Sequence, residues 1–274
     1  MTKKPPIDAA KVTVRTLRAM KSAGEKIVAL TAYDAPMARL VNAAGVDVVL
    51  VGDSVGNVKL GYANTLPVTV EEMLHHTRAV RRGNGRALLV ADMPFLSYEF
   101  DPKDAVRQVG RLVKEGGAEA VKVEGAGPVL PSLKALIAAN IPVMGHLGLT
   151  PQSIHRLGGH RVQGRDRADA ARLLRDAKTL ERAGVFALVL EAVPAALARR
   201  VTRALRVPTI GIGAGPDTDG QILVLDDLLG FSDALPPRFV KAYAALWPLA
   251  RAAAARYRDD VKAGRFPGPA QTYL

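Results

Sequence analysis

The chain has 274 residues, 49% of them hydrophobic, and carries a formal charge of +12 at pH 7. It contains no cysteine, which excludes disulfides, thiolate nucleophiles and thiolate metal sites and is compatible with a reducing compartment. That size and apolar content suffice for one α/β barrel. The polar start, Met1-Thr-Lys-Lys-Pro-Pro, has no apolar core of the kind a secretory signal needs, and no apolar run approaches the ~18 residues of a membrane span. A soluble, cytoplasmic protein is expected. The basic residues, such as Arg78, Arg81, Arg82 and Arg86, then Arg199, Arg200, Arg203 and Arg206, are spread along predicted helices among acids, and aromatics make up only 5% of the chain. This pattern predicts solvated helix faces rather than a nucleic-acid surface, some arginines being suited to attracting a small acidic molecule.

In chain order, residues 8–22 read as an N-terminal helix that plugs a barrel. Residues 26–33 are the first strand, and Asp34 caps a helix over 36–44. The second strand is 47–52, with a long loop from Gly56 to Pro67. Thr69 and Glu72 form a capping box for the next helix. The third strand is 87–92, a helix opens at Asp101 and ends near Gly116, and the fourth strand is 120–124. A helix over 129–140 and a fifth strand over 141–146 follow. The glycine-rich segment from Leu147 to Arg167 reads as an active-site loop, and a long helix runs from Asp166 to Ala183. Residues 185–191 are the sixth strand, Pro194 opens a helix, 207–213 are the seventh strand and 221–225 the eighth. A closing helix is expected over 236–262. Eight strands alternating with helices predict a single (β/α)₈ barrel domain over 1–274, with an open doubly wound sheet as the alternative.

Four of these strands end in acids: Asp53, Asp92, Glu124 and Glu191. Strand ends are where parallel α/β folds place chemistry, and in a barrel these four surround one mouth. Hard oxygen ligands without cysteine suit Mg²⁺, which keeps several waters; the plainer alternative is that each acid caps the following helix. Lys122 lies two residues before Glu124, so both point to one face. It can neutralise a substrate carboxylate or enolate, form a Schiff base, or simply pair with Glu124. Ser54 follows Asp53 and can donate a hydrogen bond to an anion; no G-x-S-x-G elbow makes it a nucleophile. His146 ends the fifth strand as a proton-moving, substrate-orienting or structural residue. Gly211-Ile-Gly-Ala-Gly215 serves either a phosphate grip or tight turning. His155 and His160 share the glycine-rich loop, where a zinc site is a weak alternative.

Val51-Gly-Asp-Ser54, Leu66-Pro-Val-Thr69, Ala91-Asp-Met-Pro-Phe95, Val121-Lys-Val-Glu-Gly125, Gly145-His-Leu-Gly-Leu-Thr-Pro-Gln-Ser153, Val162-Gln-Gly-Arg165, Gly211-Ile-Gly-Ala-Gly215 and Asp219-Gly-Gln-Ile-Leu223 occur in this order. Together they resemble the 3-methyl-2-oxobutanoate hydroxymethyltransferase (ketopantoate hydroxymethyltransferase) family. The resemblance implies a Mg²⁺-dependent barrel of the phosphoenolpyruvate/pyruvate type, cytoplasmic and decameric. It implies that Asp53, Asp92 and Glu124 serve the metal, that Asp53, Ser54, Asp92 and Lys122 contact the 2-oxo acid, and that Glu191 accepts a proton. The implied co-substrate is 5,10-methylenetetrahydrofolate, the implied acceptor 3-methyl-2-oxobutanoate, and the implied chemistry an enolate stabilised by Mg²⁺. The tail Pro269-Ala-Gln-Thr-Tyr-Leu274 departs from the acid-histidine ending of the family. Rival expectations are a lysine Schiff-base aldolase using Lys122, a barrel enzyme for phosphorylated substrates using Gly211–Gly215, and a basic nucleic-acid-binding protein.

Overall fold

A computed structural model of the chain describes residues 10–232 and 236–273; the polar start at Met1 and the first residues of the expected N-terminal helix lie outside the described residues. The apolar runs form eight strands: β1 (Ile27–Thr31), β2 (Val48–Val51), β3 (Leu88–Asp92), β4 (Ala120–Glu124), β5 (Val143–Gly148), β6 (Ala187–Glu191), β7 (Thr209–Ile212) and β8 (Gly220–Leu223). Each pairs in parallel with the next and β8 returns to β1, so the sheet closes as the expected (β/α)₈ barrel. Strands β2, β3 and β4 are buried along their whole length, which is why β2 and β3 read as unbroken apolar runs up to their ends, whereas β4 turns Lys122 and Glu124 inward.

The two-residue period of a strand decides what enters the barrel. Leu88 and Val90 of β3, Ala120 of β4, Met144 of β5, and Ala187 and Val189 of β6 belong to one central apolar cluster with Ile27, Ala29, Val48, Leu50, Ile210 and Ile222. Continuing each alternation by two or four residues brings Asp92, Lys122 with Glu124, His146 and Glu191 to the same face. The carboxyl ends of β3 to β6 thus turn charge inward above an apolar floor. Val12 and Leu17 of the N-terminal segment complete the cluster, as a plug should. Leu17 is fully buried, a burial that contributes about 1.5–3 kcal/mol.

Several helices begin at a capping side chain. Thr69 accepts from the Glu72 amide and Glu72 returns the bond, as the capping box predicts; Asp34, Asp101 and Asp166 each cap the helix that follows. Thr13 and Thr16 form another capping box, which starts the N-terminal helix at Val14, later than expected. The loop from Gly56 is shorter than expected, because Val55–Val58 makes a helical turn. The glycine-rich segment is partly ordered into a 3₁₀ turn, Pro151–Ser153, and a helical turn, Ile154–Leu157.

Two compact units divide the chain, residues 1–224 and 225–274. The first contains the barrel. The second has a short helix, Leu225–Leu229, and a long one, Leu246–Lys262. Within it Phe231 and Trp247 meet edge to face at 6.1 Å. The long helix starts ten residues after the expected position 236. Pro248 lacks an amide hydrogen and fits only near a helix start, so the helix cannot extend far upstream of it. Among the described residues no helix is long and apolar enough to cross a membrane.

Candidate active site

Strands β3 and β4 place Asp92 beside Lys122 as Cα partners, and β4 and β5 place Glu124 beside His146. Lys122 Nζ lies 2.9 Å from Asp92 Oδ1 and 3.7 Å from Glu124 Oε1. All three side chains are buried. Asp53 follows the end of β2, where its amide donates to Asp92 Oδ2 at 3.0 Å. Ser54 Oγ is 2.8 Å from Tyr33 Oη, and that tyrosine is itself buried. On β6, Glu191 Oε2 lies 3.3 Å from His146 Nε2, and His146 Nδ1 lies 3.3 Å from Glu124 Oε1.

Two residues without an expected role bind this group together. Gln152 Nε2 donates to Asp53 Oδ2 at 2.9 Å and to the Met93 carbonyl at 2.8 Å, while the Gln152 amide donates to Glu124 Oε2 at 3.1 Å. Tyr98 Oη donates to Gln152 Oε1 at 2.7 Å and accepts from the Glu124 amide at 3.1 Å. One glutamine therefore spans Asp53 and Glu124, and one tyrosine fixes the glutamine. Gln152 stands inside the Gly145–Ser153 block, which was the signal available for it; nothing in spacing points to Tyr98.

Gathering these charges shifts their protonation. Burial, with Asp92 and Glu124 beside it, pushes the Asp53 carboxyl up to about 8. Burial also raises Asp92, outweighing the Lys122 ammonium. At Glu124 burial is outweighed by His146, Lys122 and the Gln152 amide, which hold the carboxyl below its ordinary value. Burial would strip the proton from Lys122, but Asp92, Glu124 and Asp53 outweigh it and hold the ammonium well above the ordinary lysine range. At His146 burial and Lys122 push down, and Glu124 and Glu191 overcome them, raising the imidazole to about 9. Lys122 Nζ also lies 3.2 Å from His146 Nδ1. That contact is a hydrogen bond only when this nitrogen is bare, since an ammonium cannot accept; in the charged ring Nδ1 is turned over to Glu124.

Among the described residues no three His, Asp or Glu side chains are placed to hold one ion directly. The donors do fit an ion bound by fewer protein ligands. Asp92 Oδ1 and Glu124 Oε1 are buried oxygens without an aligned hydrogen-bond donor, and both face the same ammonium. Two such carboxylates, with water and a substrate completing the shell, match the habit of Mg²⁺.

The remaining candidates lie apart from this group or have plain structural work. In the glycine cluster, a side chain at Gly211 would run into Thr218, one at Gly215 into Ala195, and Gly213 and Gly215 have φ of 62° and 79°; these contacts give the cluster a packing reason. His155 and His160 are exposed. Many surface arginines are paired, as Arg78 with Glu115, Arg111 with Glu71 and Arg199 with Asp217.

Residues 11–269 match the family described as ketopantoate hydroxymethyltransferase. A 3-methyl-2-oxobutanoate hydroxymethyltransferase of Moorella thermoacetica is 59% identical, with 94% of this chain and 96% of that protein covered. Its counterpart in Syntrophotalea carbinolica is 56% identical, with 95% and 98% covered. Among solved structures, phosphonopyruvate hydrolase in complex with oxalate and Mg²⁺ superposes with a TM-score of 0.61 at 15% identity, covering 95% of this chain and 92% of that one. 2,3-Dimethylmalate lyase, a member of the PEP mutase/isocitrate lyase superfamily, does so with 0.57 at 16%, covering 94% and 90%. These two likenesses concern the barrel fold. With the family matched over nearly its whole length, the chain belongs to the ketopantoate hydroxymethyltransferases.

Proposed function

We propose that this protein transfers a hydroxymethyl group from 5,10-methylenetetrahydrofolate to 3-methyl-2-oxobutanoate, giving 2-dehydropantoate for pantothenate and coenzyme A synthesis, as a cytoplasmic homo-oligomer. The observation that supports it is the set of carboxylates gathered around the Lys122 ammonium on the inward face of the barrel, in a chain of this family. Asp92 and Glu124, with Asp53 held behind them by Gln152, would hold Mg²⁺. Bound there, the ion supplies electron withdrawal from the keto acid and so acidifies C3.

The chain's own groups carry the rest. Asp53, Ser54, Asp92 and Lys122 contact the oxo acid. Tyr33 fixes the Ser54 hydroxyl, leaving it to orient the substrate's carboxylate. Lys122 keeps its proton, so it offers fixed positive charge where negative charge builds on the substrate oxygen. Glu191 accepts the C3 proton, and the charged His146 ring, 3.3 Å away, holds the carboxylate ionised until it does. C3 then bonds to the methylene carbon as one of that carbon's two bonds to carrier nitrogen opens, the freed nitrogen taking a proton. Water displaces the second nitrogen, its oxygen becoming the hydroxyl and one of its protons passing to that nitrogen, and tetrahydrofolate leaves. A Schiff base at Lys122 would need a neutral amine, which three surrounding carboxylates oppose.

The test is exchange of the C3 proton. The protein with Mg²⁺ and 3-methyl-2-oxobutanoate in D₂O should incorporate deuterium at C3, and EDTA should abolish it. No exchange, or exchange indifferent to EDTA with borohydride trapping at Lys122, would overturn the reading.

A further inference from the structure

Among the described residues, three that carry a side chain have left-handed backbone: Leu96, Asn140 and Ala192. Asn140 follows the end of the helix Leu130–Ala138, a place where asparagine accepts this conformation. Leu96 is exposed, in a turn closed by the Ser97 amide on the Pro94 carbonyl. Neither reason applies to Ala192. It is buried, has φ of 47° and stands directly after Glu191, the proposed base. In this conformation its methyl group crowds the following carbonyl, and it has no polar side chain to compensate. Such a residue persists only where its surroundings over-determine it, and such residues cluster at functional sites.

Three hydrogen bonds supply that constraint. The Ala192 amide donates to the Ile212 carbonyl at 2.9 Å, extending the β6–β7 ladder. The Glu191 carbonyl, at the other end of the same peptide group, accepts from the Leu149 amide at 2.8 Å. That peptide is therefore held between the ends of β5 and β7. The Ala192 carbonyl accepts from the Gln163 amide at 2.9 Å, so the next peptide group is fixed as well. With both planes set, the backbone of Ala192 cannot relax. Gly164 permits this approach: it has φ of 78°, and a side chain there would meet Leu197 at 2.4 Å. Leu197 is buried on the helix Ala195–Ala204, into which Ala192 leads. The Gln163 side chain turns back onto the Arg161 carbonyl, so this residue reaches Ala192 through its amide alone. Resting on the function proposed above, we infer that Ala192 is a positioning residue for Glu191, kept left-handed by a strap made of Gln163 and Gly164. The strap fixes where Glu191 leaves the strand and so aims its carboxylate, whose Oε2 lies 3.3 Å from His146 Nε2. A reacting group displaced by about 1 Å loses on the order of 10²-fold in rate. The strap therefore governs turnover rather than affinity for the oxo acid.

Three variants test this. Ala192→Val adds a β-branched side chain, which opposes left-handed backbone. It should slow C3 deuterium exchange and lower kcat about tenfold or more. The KM for the oxo acid and the melting shift with Mg²⁺ should stay close to those of the parent. Ala192→Gly allows the same φ without steric cost and should restore most of the rate that valine removes. Gly164→Ala drives the strap away from Leu197. It should reproduce the split between kcat and KM, and it should also speed hydrogen exchange at the Ala192 and Leu149 amides. Parent-like C3 exchange in a folded Ala192→Val protein would overturn the inference. So would a glycine variant as slow as the valine one, or a KM that rises as far as kcat falls, the mark of a generally distorted mouth. If the valine variant does not fold, Gly164→Ala decides by the same measures. Should the parent show no C3 exchange at all, the proposed reaction fails; parent-like protection of the two amides in Gly164→Ala would then still overturn the strap, and lost protection would uphold it.

Discussion

Lys122 Nζ stands 2.9 Å from Asp92 Oδ1, on adjacent strands whose Cα positions are partners in the barrel. The ammonium occupies the charge position that a divalent ion would share, because it also faces Glu124. Removing it leaves buried carboxylates uncompensated, at a cost of about 3–5 kcal/mol. Lys122→Met should therefore lower the thermal midpoint of the metal-free protein. It should also enlarge the upward shift that Mg²⁺ produces, because the ion no longer competes with a fixed cation and binds the folded state alone. Turnover should fall by about 10²-fold or more. Thermal melts across a Mg²⁺ titration check the pair; a smaller Mg²⁺ response than in the parent would contradict this role for Lys122.

What could be read from the sequence and what could not divides along a physical line. Asp92 and Glu191 were legible because each ends an unbroken apolar run, and such runs have few readings in a parallel fold. Lys122 and Glu124 were legible as one face because a strand's period is two. Gln152 was not, since its bond to Asp53 joins residues 99 apart in the chain, and neither residue type announces such a partner. Tyr98 follows a proline-containing turn and reads as an ordinary loop aromatic until its hydroxyl is seen on the Glu124 amide. The closing helix starts later than its expected position 236 because Pro248 fits only near a helix start.

Tyr98→Phe probes the scaffold under the carboxylates. Its hydroxyl serves Gln152 Oε1 and the Glu124 amide, both buried. Deleting it strands an acceptor and a donor, each worth about 1–3 kcal/mol when unsatisfied. The variant should melt lower by several degrees, and because the Gln152 side chain then loses its hold on Asp53, the KM for the oxo acid should rise as well. Gln152→Ala should reproduce both effects. If the two substitutions together cost no more than either alone, they act through one network; simple additivity in a double-mutant cycle would show that they do not.

Glu191→Gln separates proton transfer from binding. Its side chain is more exposed than those of Asp92 and Glu124, and it faces His146 rather than the ammonium. The amide keeps the shape and removes the acceptor, so C3 deuterium exchange should slow by about 10²–10⁴-fold. The shift in melting temperature with Mg²⁺ should remain close to that of the parent. Near-normal exchange in this variant would remove Glu191 from the role of base.

The position of Glu191 rests in turn on Gly148, the last residue of β5. Gly148 has φ of 99°, and a side chain there would drive into the Glu191 carbonyl and the Val193 side chain. The same carbonyl accepts from the Leu149 amide at 2.8 Å, so the two strand ends are pinned together at this point. Gly148→Ala therefore does two things: it strains a left-handed backbone, at about 1–3 kcal/mol, and it pushes the proposed base out of register. Gly24 isolates the first effect, since its φ is 73° with nothing within 4 Å of an added side chain. Gly24→Ala should lower the melting temperature modestly and leave C3 exchange untouched. Gly148→Ala should lose more stability and lose exchange by about tenfold or more, since displacing a reacting group by a fraction of its bond length is costly. Equal exchange rates in the two variants would mean that the carbonyl contact at Gly148 does not set where Glu191 stands.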